Sequence, residues 1–129
     1  VTQRAERKMY LQDDAVFPPA AMTGWLVPEE LRRRWKRVVG RSSEVLPSLL
    51  KDLQQIDVFC HDSEHTYTNM MFEFTTAWPF LSSSGILIAD NADWGKDALA
   101  EFGRSVRRSP TYYRDLVRGV PEYVGLIAK

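Results

Sequence analysis

Hydrophobic residues recur along the chain with two periods, and the period changes from one segment to the next. Apolar positions three and four residues apart predict a helix from Ser42 or Ser43 and another from about Thr66. Short apolar runs over 56–60 and 86–89, rich in β-branched residues, predict two buried strands. Helices and strands therefore alternate, which is typical of a parallel sheet with helices on its faces.

The segment after the second strand continues the alternation and then changes character. An apolar stripe over 99–106 predicts a further helix, and residues 112–117 and 123–127 have the composition of strands. Gly-Val-Pro at 119–121 predicts the turn of a hairpin between them, and the serine-rich run at 82–85 predicts another turn. The sheet is therefore expected to end in an antiparallel hairpin.

The first third of the chain has weaker signals. Residues 1–23 form an irregular lead segment, since the prolines near its end suit neither a helix nor a central strand. Pro28 suits the first position of a helix, and a short strand is expected at 36–40. The arginine-rich flank of this helix, 32–37, is interpreted as a solvated face rather than a phosphate or RNA patch. The apolar face of the predicted helix is formed by Leu31, Trp35 and Val38.

Length and composition indicate one domain over residues 1–129. A chain of 14.9 kDa with 44% hydrophobic and 12% aromatic residues has enough apolar surface for one core and is too aromatic to be disordered. The 17 basic and 17 acidic residues cancel, so the chain lacks the positive field that nucleic acid or anionic lipid would require.

Targeting and redox signals are few. No apolar run approaches the ~20 residues of a membrane span, and no apolar run follows the basic N-terminal residues as in a signal peptide. The single cysteine excludes an internal disulfide. We therefore expect a cytoplasmic chain that binds neither membrane nor nucleic acid.

Polar residues follow both predicted core strands. Asp62 comes shortly after the first strand, and Asp90 and Asn91 come directly after the second. Because parallel strands end at the same edge of a sheet, these oxygen donors are expected to converge, and such donors suit Mg²⁺ or another divalent cation. His65 lies three residues after Asp62, where a neutral imidazole can act as a general base for an acceptor hydroxyl.

Each of these residues also has a purely structural interpretation. Asp62 or Ser63 can cap the helix that follows, and Asn91 can occupy a turn. His65 can be a satisfied residue of the first helical turn, and His61 can bind buried backbone groups. The convergence of several such residues at two strand ends favours a site, but the alternatives stay open at this point.

The same residues carry a resemblance to a known family. The sequence resembles the class I S-adenosylmethionine-dependent methyltransferases over about 24–129. Its most specific part is the Asp-x-x-His-x-Tyr pattern from Asp62 to Tyr67, typical of the small-molecule O-methyltransferase branch. The other matching stretches are 24–31, 40–47, 56–61, Glu73-Phe74, Ala77-Trp78-Pro79 and 85–91.

The resemblance implies an α/β, Rossmann-like methyltransferase sheet that ends in an antiparallel hairpin. It also implies S-adenosylmethionine as the cofactor, a small hydroxylated molecule as the acceptor, and a divalent cation held by Asp62, Asp90 and Asn91. In catechol O-methyltransferase the base is a lysine three residues after the first ligand, and His65 stands at that position here.

One part of the family pattern is absent. The seven glycines show no GxGxG spacing, so the cofactor loop has no counterpart, and no acidic residue is assigned to the cofactor ribose. We therefore expect a sheet truncated in its N-terminal half, present as a fragment or natural truncation that is inactive alone. The alternative is a catalytically inactive remnant that acts as a binding or self-assembly module, and the exposed side of such a sheet predicts a homodimer.

Overall fold

The computed structural model describes residues 27–94, 97–117 and 120–129. The chain divides into two compact units between Arg37 and Val38. In the described part of the first unit, one short helix, α1 (Glu29–Arg32), follows Pro28. Leu31 is 48% exposed, and within the described part of the chain no residue of this helix is buried.

The longer helix predicted for this region is wrong, and so is the strand predicted at 36–40. The helix ends at Arg32, before Trp35, and residues 35–39 belong to no helix or strand. Val39 is 75% exposed. An apolar stripe forms a stable helix only when another surface buries it, and none of the described residues does so here.

The described part of the second unit contains three longer helices and four strands. In chain order the elements are α2 (Ser42–Leu53), β1 (Ile56–His61), α3 (Tyr67–Ala77), β2 (Leu81–Ala89), α4 (Ala98–Ser105), β3 (Thr111–Val117) and β4 (Val120–Ala128). A single 3₁₀ turn, Trp78–Phe80, joins α3 to β2. Among the described helices, none has the length and apolar character needed to cross a membrane.

The four strands form one open sheet in the order β1-β2-β4-β3. β1 and β2 are parallel, whereas β4 is antiparallel to both β2 and β3. The predicted fold class is therefore confirmed: a mixed α/β, Rossmann-like sheet that ends in an antiparallel hairpin. β4 begins at Val120, so the strand includes two residues expected in the turn; the remaining link, 118–119, lies outside the described residues.

The turn predicted at 82–85 is instead an irregular stretch within β2. Leu81 pairs with Ile56 and Ile86 pairs with Val58, so residues 82–85 form a bulge relative to β1. The end of the chain also holds this stretch, because the Lys129 backbone N–H donates to the Gly85 carbonyl at 2.9 Å. The serine-rich run therefore interrupts the pairing without ending the strand.

The core lies where α3 and α4 pack against the central strands. Met70 and Phe74 of α3 are fully buried, so the methionine and aromatic stripe is core as predicted. β1 is less buried than predicted: Val58 is 55% exposed and Cys60 is exposed, and both lie on the face of the strand opposite to Phe59, which packs against the core. The other buried apolar residues are Leu50, Ala77, Leu81, Leu87, Ala89, Ala92, Ala98, Leu99, Phe102 and Ile127.

Candidate functional site

Three of the four predicted site residues lie together at one edge of the sheet. His61 of β1 stands opposite Ala89 of β2, so the residues that follow the two strands are neighbours. The Asp90 backbone N–H donates to the His61 carbonyl at 2.9 Å and ties the two ends together. One ligand atom each from Asp62, His65 and Asp90 lies within 4.8 Å of the others. We refer to these three residues as the strand-end cluster.

Asn91 occupies the turn that follows Asp90. Its φ is 43°, in the left-handed region that asparagine tolerates better than most residues. The turn closes through a hydrogen bond from the Trp94 N–H to the Asn91 carbonyl at 2.9 Å. The turn interpretation of Asn91 is therefore correct, and its role as a cation ligand stays a prediction.

The capping interpretation of Asp62 and Ser63 is wrong. The N-cap of α3 is Thr66, whose Oγ1 accepts a hydrogen bond from the Asn69 backbone N–H at 3.3 Å. Ser63 instead donates from Oγ to the Glu73 carboxylate at 2.7 Å. Asp62 is exposed. Its carboxylate therefore does not cap the helix and belongs to the strand-end cluster.

His65 is the half-buried member of this cluster. Its Nε2 is buried without a hydrogen-bond partner among the described residues. Burial lowers the pKa of the imidazole, and the neighbouring His61 lowers it further, against opposite contributions from Asp90 and Asp62. A neutral imidazole keeps one lone pair, which is what either a general base or a cation ligand requires.

The cluster fits a divalent cation chemically and by size. Ligand atoms around Mg²⁺ lie about 2.0–2.1 Å from the ion, hence roughly 2.9–4.2 Å from one another. The 4.8 Å bound on the strand-end cluster exceeds this range slightly, and small side-chain rotations would bridge the difference. Carboxylates suit Mg²⁺ and Mn²⁺, and Asp62 and Asp90 supply two of them.

A buried polar pair behind the cluster was not predicted. His61 is fully buried and its Nδ1 lies 2.6 Å from Oε2 of Glu73, which is 3% exposed. Burial raises the pKa of Glu73, but hydrogen bonds from His61 and Ser63, together with the nearby Ser42 hydroxyl, outweigh burial and lower the pKa to about 2. The sequence did contain a signal, because Glu73 is a charged residue on the buried face of α3, between Met70 and Phe74.

A glycine-rich cofactor loop is absent from the described residues. The glycines in the described residues are Gly40, Gly85, Gly103 and Gly125, which are far apart in sequence and form no glycine-rich turn. None of these four glycines therefore provides the close backbone approach that S-adenosylmethionine needs at a glycine-rich turn.

Comparison with known families gives a match over most of the chain. A family model described as a methyltransferase domain matches residues 3–92. The match contains β1, β2 and all four predicted site residues; it begins before the stretch that carries the resemblance and ends before the hairpin. No curated protein matches the chain.

Proposed function

Because the chain belongs to the methyltransferase domain family, we propose that it contributes the acceptor side of a metal-dependent O-methyltransferase acting on a small hydroxylated molecule. One observation carries this proposal: Asp62, His65 and Asp90 converge within 4.8 Å at the carboxyl ends of two parallel strands, inside the matched part of the chain. Open α/β sheets bind their ligands at this edge.

Each residue has a distinct role in the proposal. Asp62 and Asp90 would hold the cation by their carboxylate oxygens, with Asn91 as a third oxygen ligand from the adjoining turn. A divalent cation supplies positive charge that lowers the pKa of an acceptor hydroxyl. His65 receives the hydroxyl proton, because its lowered pKa keeps the imidazole neutral near pH 7. S-adenosylmethionine supplies the methyl group when bound.

His65 can serve as base or as third ligand, and we favour the base. The two roles differ in what His65→Gln does: loss of a ligand weakens cation binding strongly, whereas loss of a base leaves binding nearly unchanged and removes proton transfer. Two carboxylates already provide the charge that Mg²⁺ prefers, and an imidazole is a poor ligand for this ion.

Proton removal from an acceptor can be tested without the cofactor. We suggest 4-nitrocatechol as a probe, since its phenolate absorbs visible light. Below the pKa of the free probe, the chain with Mg²⁺ is expected to produce at least about tenfold more phenolate than Mg²⁺ alone, equivalent to one pKa unit. His65→Gln should remove most of this gain while Mn²⁺ affinity stays within a few-fold. An equal phenolate signal with and without the chain would refute the proposal.

The chain alone is expected not to transfer methyl groups. The cofactor needs backbone that approaches it closely at a glycine-rich turn, and the GxGxG spacing is absent from these 129 residues. Calorimetry with S-adenosylmethionine should show no binding tighter than millimolar, and a methyl-transfer assay with a catechol acceptor should give no product. Micromolar binding would show that the chain holds the cofactor by other residues.

Self-association is a second candidate function, favoured by the unpaired side of the outer strand β1. Within the described part of the chain β1 pairs with β2 alone, and the exposed Val58 lies on this edge strand. An unpaired strand edge can bind another strand, and a two-fold homodimer is the commonest result.

Dimerisation through β1 predicts a specific effect of charge. Light scattering should give twice the 14.9 kDa of one chain at high micromolar concentration, and Val58→Lys should shift the species to the monomer. Val39→Lys is the matched control, because Val39 is 75% exposed and lies outside the strands. A wild-type monomer, or a dimer that survives Val58→Lys, would contradict this interface.

A further inference from the structure

Glu73 is a buried carboxylate with an unusual number of hydrogen-bond partners. Its Oε2 accepts from His61 Nδ1 at 2.6 Å, and its Oε1 accepts from Ser63 Oγ at 2.7 Å and from Asn69 Nδ2 at 3.1 Å. The side chain belongs to α3 and lies among the apolar residues of its buried face. A buried charge is costly unless it is fully hydrogen-bonded, as this one is.

These hydrogen bonds reach the segment that carries the candidate site. Residues 62–66 connect β1 to α3 and contain both Asp62 and His65. Asn69 adds further hydrogen bonds to this segment, because its Nδ2 also donates to Ser63 Oγ and to the Glu64 carbonyl, each at 3.0 Å. Polar contacts from α3 therefore fix the segment on both sides of Asp62.

The hydrogen bond to Glu73 also determines which nitrogen of His61 carries a proton. A carboxylate only accepts, so Nδ1 of His61 must donate, and in a neutral ring Nε2 is left with the lone pair. That Nε2 is buried without a partner in the described structure. The His65 ring meets the His61 ring edge-to-face, with centroids 5.1 Å apart, and its Nε2 is likewise buried and unpartnered.

We propose that Glu73, acting through His61 and Ser63, is the positioning residue of the strand-end cluster. Glu73 fixes the orientation of the His61 ring, which packs against the His65 ring, and it keeps Asp62 turned towards Asp90. A modest rotation of the His65 ring lets it donate to His61 Nε2, which satisfies both orphaned nitrogens and leaves the other nitrogen of His65 for the site. This inference rests on the function proposed above, to which it adds a supporting residue that touches neither cation nor acceptor.

The chain contains only two histidines, which makes the test unusually direct. Nitrogen-15 imidazole spectra of the whole chain give two ring systems, and one single-histidine variant assigns them. In the wild type we expect His61 to be protonated at Nδ1 and His65 to hold one tautomer. Glu73→Gln keeps the side-chain shape but can donate to Nδ1, so it should change the His61 tautomer, shift the His65 ring signals and weaken Mn²⁺ binding by about 10–100-fold.

Glu64→Gln is the matched control, because it makes the same chemical change in the same segment at an exposed carboxylate bonded only to Thr66 among the described residues. It should leave the ring signals and the Mn²⁺ affinity unchanged. If Glu73→Gln fails to fold, the double variant His61→Phe with Glu73→Met replaces the pair by apolar groups, which proteins often tolerate. In this variant the His65 signals should approach those of a mobile imidazole.

The outcomes separate this inference from the proposed function. Folded Glu73→Gln, or the double variant, with wild-type His65 signals would overturn the positioning role. A wild type that binds no Mn²⁺ would refute the proposed metal site, while the ring spectra would still test whether Glu73 orders His65.

Discussion

Replacing Asp90 with alanine should weaken Mn²⁺ binding by at least about 100-fold, while the fold persists. Asp90 follows β2 directly and is one of only two carboxylates in the strand-end cluster. Outer-shell partners of metal ligands alone contribute about 10–100-fold, so removing a charged ligand should cost no less. Calorimetry, or water relaxation by Mn²⁺, measures the change.

Asp93→Ala provides the control for this prediction. Asp93 lies in the same turn and is exposed, and the structure does not place it in the cluster. Its removal deletes the same charge with little effect on a specific site, so Mn²⁺ affinity should change less than about threefold at moderate salt. Equal losses in the two variants would indicate diffuse attraction of cations to an acidic turn rather than a site.

Phe74→Ala should strongly lower the stability of the fold, although it leaves the charges of the strand-end cluster unchanged. Phe74 is fully buried and its ring contacts those of His61 and Phe102, each with centroids 5.5 Å apart. Truncating a buried phenylalanine costs about 3–5 kcal/mol, because the cavity collapses only partly. For a domain of this size we expect the melting temperature to fall by roughly 10–20 °C.

The neighbouring Phe72 is the control for this prediction. It lies on the same helix but is only half-buried, so Phe72→Ala should lower the melting temperature by less than half as much. Because Phe74 also packs against His61, Phe74→Ala should in addition shift the imidazole signals of His61. A melting temperature equal to that of Phe72→Ala would show that the core is not centred on α3.

The sequence was most informative where burial and periodicity agree. α3 and α4 were predicted because their apolar stripes face a common core, and α2 was predicted from a stripe that buries Leu50. The order of the strand ends was enough to bring Asp62 near Asp90. The predictions failed where local pattern and tertiary contacts diverge. The stripe of Leu31 and Trp35 has no surface to bury it among the described residues, and the run at 82–85 stays in β2 because its flanks pair with β1.

The Glu73–His61 pair shows a second limit of prediction from the sequence. Its two members are twelve residues apart and belong to different elements, so their contact depends on how α3 packs against β1. A charged residue in an apolar helical stripe indicates a buried partner, but it does not identify which one. The sequence therefore predicted the donors at the edge of the sheet but not the residue that supports them.

The central claim is that one cation binds where β1 and β2 end. Its most direct test is a Mg²⁺ titration of the whole chain in which backbone amide NMR spectra are recorded at each step. We predict saturable shifts concentrated in residues 61–66 and 89–94, absent in Asp90→Ala and retained in Asp93→Ala. Shifts that do not saturate, or that scatter over the acidic surface without favouring these two segments, would contradict the claim.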